Sequence, residues 1–262
     1  MADTAMSDAE VDSDPNPTAG GSVPHVWRLR ARGCWTEAAT LLAPYALTAF
    51  GPALERAALF TEQCLFTLDG WPAAEDALRT AEALARTDDE RGEAACERGH
   101  LAYLATQFAV RDRADEASAA LGRSAALLTP GAPGRPLLDF RRGLVAENLA
   151  DDPAAARAAY RRAHAGAVAH GDALLTSFTW RHLAGLAARD GDLAEAHRGF
   201  TESLRIRTEL GYLIGAAPAL VSLATVEPEP EAARLRAEAG RLLRLLGGVP
   251  VWLADELGVN GR

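Results

Sequence analysis

Glu62 and Glu147 are the carboxylates of this chain best placed for proton transfer, because each lies within a stretch of helical periodicity and could face a groove as a general base. The sequence pairs neither with a second catalytic group. Histidine pairs come next. His164 and His170 are six residues apart, which on a helix sets them about 120° out of register and makes joint metal ligation poor. His182 and His197 stand on successive predicted helices and could meet, but no third ligand accompanies them. Asp88-Asp89-Glu90 and Asp151-Asp152 resemble fragments of acidic metal loops. Both stand where helices are expected to begin or end, and acids favour the positive N-terminal end of a helix. There is no His-Glu-x-x-His, no phosphate-binding glycine loop and no Gly-x-Ser-x-Gly. Cys34, Cys64 and Cys96 lack paired spacing and read as small apolar residues of a reducing cytoplasm. The expectation is a non-enzyme with no catalytic residue, no metal and no cofactor.

The elements that would carry these residues repeat. A turn opens with Gly or Asp, an alanine-rich helix follows, and a small residue precedes a large apolar one by four positions. The clearest copy runs Trp180-Arg181-His182-Leu183-Ala184, then Gly191 to Ala196, then Phe200 and Ser203. The small residue recurs at Ala38, Ala74, Ala117, Ala156, Ala196 and about Ala233, at spacings of 36, 43, 39, 40 and 37. Ala77 and Ala232 are alternatives in the looser second and sixth copies. Phe140, Arg141, Asp152, Ala156, Tyr160 and Gly171 each recur 40 residues on as Trp180, Arg181, Asp192, Ala196, Phe200 and Gly211. A small residue near a helix start lets a neighbouring helix approach, and the large one lies on the same face one turn on. Each helix pair exposes an apolar face that only the next pair covers, so the copies must stack. Pro72 and Pro153 suit first-turn positions. Asp69-Gly70, Asp151-Asp152 and Asp190-Gly191-Asp192 supply turns and caps, and Gly131, Gly171, Gly211 and Gly247-Gly248 suit helix stops.

In Trp180, Leu183, Ala184, Ala196, Phe200 and Ser203 the chain resembles the tetratricopeptide repeat family. The likeness spans roughly residues 24 to 248. It implies an all-α fold, a right-handed α-α superhelix of about six helix pairs. The period here is longer than the family's, and Thr208 stands where the repeat-ending proline is usual. Residues from Gly211 to Pro250 also resemble the helical arrays of actinobacterial regulators of the LuxR and AfsR type. A solenoid of residues 23–248 is thus expected between an acidic, disordered tail (1–22) and a C-terminal cap or tail (249–262).

Charge excludes some partners. The formal net charge is −9, and five acids precede the first arginine, Arg28, so the remainder is mildly acidic at −4. A nucleic-acid-binding domain would be basic. The start lacks the basic and apolar segments of a signal peptide. The most apolar stretch, Leu41 to Phe50, is interrupted by Pro44 and too short to span a bilayer. A cytoplasmic protein without nucleic acid or membrane partners is expected. All 27 basic residues are arginine, which fits a GC-rich genome.

The resemblance implies a concave face, lined by the first helix of each pair, that holds a protein or peptide. Register places Arg56, Gln63, Thr106, Arg141, Asn148, Arg181 and Arg189 on that face. Arg141 and Arg181 occupy equivalent positions, and two guanidinium groups on neighbouring helices suit an acidic or C-terminal peptide segment. Asn148 suits a peptide backbone. The alternatives are a helical enzyme of specialised metabolism with acid–base residues in the groove, or a ligand or peptide sensor serving a separate regulator. Trp252 reads either as a seal on the last repeat or as part of an exposed tail.

Overall fold

The computed structural model describes residues 24–258, all of whose regular elements are helices. They form six pairs. The first two are α1 (Pro24–Arg30) with α2 (Trp35–Ala46), and α3 (Phe50–Thr67) with α4 (Trp71–Leu84). Next come α5 (Asp88–Gln107) with α6 (Ala114–Leu127), and α7 (Arg135–Asn148) with α8 (Pro153–His170). Then follow α9 (Ala173–Arg189) with α10 (Leu193–Glu209), and α11 (Leu213–Ala224) with α12 (Glu231–Leu245). One further turn, α13 (Val251–Ala254), ends the described chain. The acidic segment 1–22 lies outside the described residues, as does the end of the C-terminal segment beyond residue 258.

The repeating small residue is the fourth position of α2, α4, α6, α8 and α10. Ala38, Ala74, Ala117, Ala156 and Ala196 are all fully buried there. Their partners one turn on, Leu42, Leu78, Leu121, Tyr160 and Phe200, are buried too. In the sixth copy Ala232, at 2% exposure, is the core residue and Ala233 faces outward. Glycines on the first helices admit these large side chains. A Cβ on Gly99 would lie 2.6 Å from Leu121 Cγ, and one on Gly143 would strike the Tyr160 ring.

Capping residues set the pair boundaries. Asp152, Asp172 and Asp192 each accept a hydrogen bond from the backbone N–H three residues on. Thr87 and Glu90 form a reciprocal capping box at α5, which accounts for the Asp88-Asp89-Glu90 cluster as a helix start. Gly171 and Gly211 take positive φ after α8 and α10, as the stop reading requires. Gly131 departs from that reading: α6 has already ended at Leu127, and Gly131 lies in the loop beyond.

First helices pack on one another, α3 on α5, α5 on α7 and α9 on α11, so together they form the inner side of an α-α superhelix. The two ends of the series meet. The Ile214 N–H donates to the Ala31 carbonyl at 2.9 Å, and the Trp27 indole N–H to the Leu210 carbonyl at 3.3 Å. Trp27 stacks on Tyr212 with ring centroids 5.8 Å apart. Trp252 donates to the Leu65 carbonyl at 2.8 Å and leans on Phe66. Val26, Leu59, Phe66, Leu174, Tyr212, Leu243 and Leu253 share one apolar cluster. Trp252 is therefore a seal and not part of an exposed tail.

Candidate functional site

Seven residues were expected on the concave inner face, and the structure sends them to different tasks. Arg141 is buried at 6% exposure and ion-paired with Glu97 of α5. It also donates to the Cys96 sulfur at 3.3 Å. The expectation of a groove arginine is corrected here, because a carboxylate one repeat earlier draws the guanidinium into the stack. Burial pushes the Glu97 carboxyl up, but Arg141, with His100 and Thr61, more than offsets it and holds it below the ordinary carboxylate range. His100, beside the same pair, is pulled down to about 3, first by burial and then by Arg141.

Three of the others serve local structure. Gln63 accepts from the Thr36 hydroxyl at 3.3 Å and packs over Gly70, so it faces α2 and the α3–α4 turn. Thr106 donates to the Ala102 carbonyl and accepts from the Arg113 N–H at 2.8 Å, closing the α5–α6 loop. The half-buried Arg56 lies over the Phe60 ring, 5.1 Å from its centroid.

Asn148 and Arg189 gather near Glu147. The Tyr160 hydroxyl donates to Glu147 Oε2 at 2.7 Å, and His182 Nδ1 lies 3.0 Å from the same oxygen. Exposed Arg189 approaches Oε1 at 3.7 Å. Asn148 donates to the Tyr103 hydroxyl at 2.9 Å. Burial raises the Glu147 carboxyl, yet His182 and Tyr160 bring it below its usual value. The His182 ring is itself pulled down, chiefly by burial. Glu62 has a parallel setting: the Tyr212 hydroxyl donates to its Oε1 at 2.6 Å and Arg30 Nε to its Oε2 at 2.7 Å. Both carboxylates thus have partners that no local spacing announced, since those partners lie between 13 and 150 residues away.

Arg181 and Arg207 stand apart. Arg207, on α10, is the other buried arginine besides Arg141, at 3% exposure. Neither Arg181 nor Arg207 has a carboxylate within 4.0 Å among the described residues. Arg207 Nε donates to Ser177 Oγ at 3.2 Å and Nη1 to the Gly215 carbonyl at 2.8 Å. Its guanidinium lies 4.9 Å from the Phe178 ring centroid. Arg181 Nε donates to Ser222 Oγ at 3.0 Å. Each serine hydroxyl gives its own proton to its helix, Ser177 to the Leu174 carbonyl and Ser222 to the Pro218 carbonyl, so it can only accept from the arginine. Burial, then neighbouring Arg181, pulls the Arg207 guanidinium down to about 9.

Arg141 and Arg181 each stand 12 residues before the start of the following helix, α8 and α10, but Arg141 reaches back to α5 and Arg181 forward to α11. The position before Arg181 that corresponds to Glu97 falls at Pro136–Leu137, where there is no charge. Sequence reasoning missed Arg207. Its signal was present: it follows fully buried Ala167 by one 40-residue period, so an arginine occupies a core register.

Histidines 182 and 197 do not meet. His182 pairs with Glu147, and His197 Nε2 lies 2.8 Å from Glu227. No group of three metal-ligating side chains occurs among the described residues, and none of the described helices is long and apolar enough to cross a membrane. The described residues define the class, an α-α superhelix of six helix pairs whose first and last pairs touch. No known family profile matches the chain, and no curated protein matches it.

Proposed function

We propose that this chain is a non-catalytic helical-repeat module that holds another protein, and that its contact surface is the outer face of α2. One observation carries this reading. Leu41, Tyr45 and Leu47 are 45%, 61% and 73% exposed on a segment, residues 38–54, that has no charged side chain. The exposed ion of α2, Glu37, stands in its first turn, whereas the other outer helices carry ions further along. Asp76 and Arg79 face outward on α4, Arg123 on α6, Arg161 on α8, Arg198 and Arg205 on α10, and Arg234 and Arg241 on α12. A contiguous apolar patch among charged faces marks an interaction surface. Leu41 and Tyr45 are one turn apart, which suits the apolar stripe of a partner helix.

This relocates the interface expected from the resemblance. The first helices spend their polar side chains on one another and on the opposite end of the chain, which favours an outer contact over an inner groove. The test compares wild type with Leu41→Asp/Tyr45→Ser by affinity capture from the source cells and by sedimentation. A partner that copurifies stoichiometrically with wild type, and is lost from a variant of unchanged helicity, supports the reading. Equal capture by both proteins, or self-association as the sole property lost, overturns it.

A further inference from the structure

A buried cation without an anion is costly, and buried charges in proteins are paired or bound to a counterion. Arg141 obeys that rule through Glu97. Arg207 does not, though it is the more buried of the two. The surroundings of Arg207 and Arg181 are ordered nonetheless. Each guanidinium is fixed through Nε by a serine that can only accept, and Arg207 is further held by the Gly215 carbonyl and the Phe178 ring.

Both guanidiniums lie between α9 and α11, close enough for the charge of Arg181 to act on Arg207. Arg207 is received by Gly215 and Arg181 by Ser222, seven residues and so two turns apart on one side of α11. On α9, Ser177 and Arg181 are one turn apart. Of five N–H groups each, Arg207 uses two and Arg181 one in hydrogen bonds, so three and four remain. Glu147 is close enough to feel Arg181, but it lies beyond ion-pair distance and already serves Tyr160, His182 and Arg189. Arg181 is partly exposed, and this gives a way in from solvent.

We infer that Arg181 and Arg207 form a binding site for a phosphate-type oxyanion, held between their free guanidinium N–H groups. Two cations match a dianion. Seven free donors exceed the roughly four lone-pair sites of one carboxylate, whereas a phosphate group offers more oxygens. The site lies among α9, α10 and α11 and is independent of the α2 surface.

The test uses the full chain and inorganic phosphate. At saturation the melting temperature should rise by roughly 5 °C or more over sodium chloride at matched ionic strength. Calorimetric titration should give one phosphate per chain. Arg207→Met should abolish the shift and should melt no lower than wild type without phosphate, because an uncompensated charge has been replaced by an apolar chain of similar length. If that variant fails to fold, the part-exposed Arg181→Gln serves, and should weaken phosphate binding at least tenfold. A shift no larger than with chloride overturns the site. So does one retained in both variants, or one matched by acetate at equal concentration.

Discussion

The Glu97–Arg141 pair makes a quantitative demand. Both side chains are nearly inaccessible, at 2% and 6% exposure, and each is the other's ionic partner. Glu97 Oε1 and Arg141 Nε have no hydrogen-bond partner, so the pair itself carries most of the compensation. Arg141→Met removes the cation and leaves a carboxylate stranded between α5 and α7. Breaking a buried pair from one side costs about 3–5 kcal/mol. For a chain of this size that lowers the melting temperature by roughly 6–20 °C. Glu97→Leu should cost a similar amount for the converse reason. The double variant should return to within about 1 kcal/mol of wild type, or exceed it, since two desolvated ions have been exchanged for packed carbon. Urea unfolding followed by helical circular dichroism at pH 7, as a double-mutant cycle, measures all three. Additive losses, or single variants costing under about 1 kcal/mol, would refute the account of Arg141 as a structural cation.

Two further outcomes follow from packing and burial. Gly99→Ala should destabilise by about 1–3 kcal/mol despite the better helix former, because its Cβ would lie 2.6 Å from Leu121 Cγ. Gly122→Ala, with open space around it in α6, should stabilise by about 0.5–1 kcal/mol, and a reversal of these signs in thermal melts would contradict the packing. His100 is held near 3 in the folded chain against about 6.5 when unfolded, so the unfolded state takes up the extra proton between those values. Stability should therefore be present above about pH 6.5 and fall as pH drops toward 3, by up to about 1.4 kcal/mol per unit. His100→Gln should flatten that slope in pH-dependent unfolding, and an unchanged slope would assign it to other groups.

The helix pairs were legible because their signal is local. Ala156, Tyr160, Ala196 and Phe200 keep a fixed spacing, and burial follows from it. Turn chemistry at Asp152, Asp192 and Gly211 is equally local. Closure was not legible. It rests on Trp27 with Leu210, Glu62 with Tyr212 and Trp252 with Leu65, contacts spanning 150 to 187 residues, which no periodicity encodes. The candidate site was read in part. Register paired Arg141 with Arg181, yet the fate of each depends on what faces it across the stack, Glu97 in one case and uncharged Ser222 in the other. Arg207 went unread because the comparison followed matches between copies, and its importance lies in a mismatch.

The meeting of the first and last helix pairs also limits how the chain can change over evolution. An open array tolerates gain or loss of a repeat, because each unit touches only its neighbours. Here a seventh pair between α10 and α11 would carry Tyr212 away from Glu62 and part the backbone bond from Ile214 to Ala31. Removing a pair would do the same in the other direction. Any change in repeat number would have to rebuild these contacts, whereas single substitutions on the exposed faces of α4, α6, α8 and α10 leave them in place.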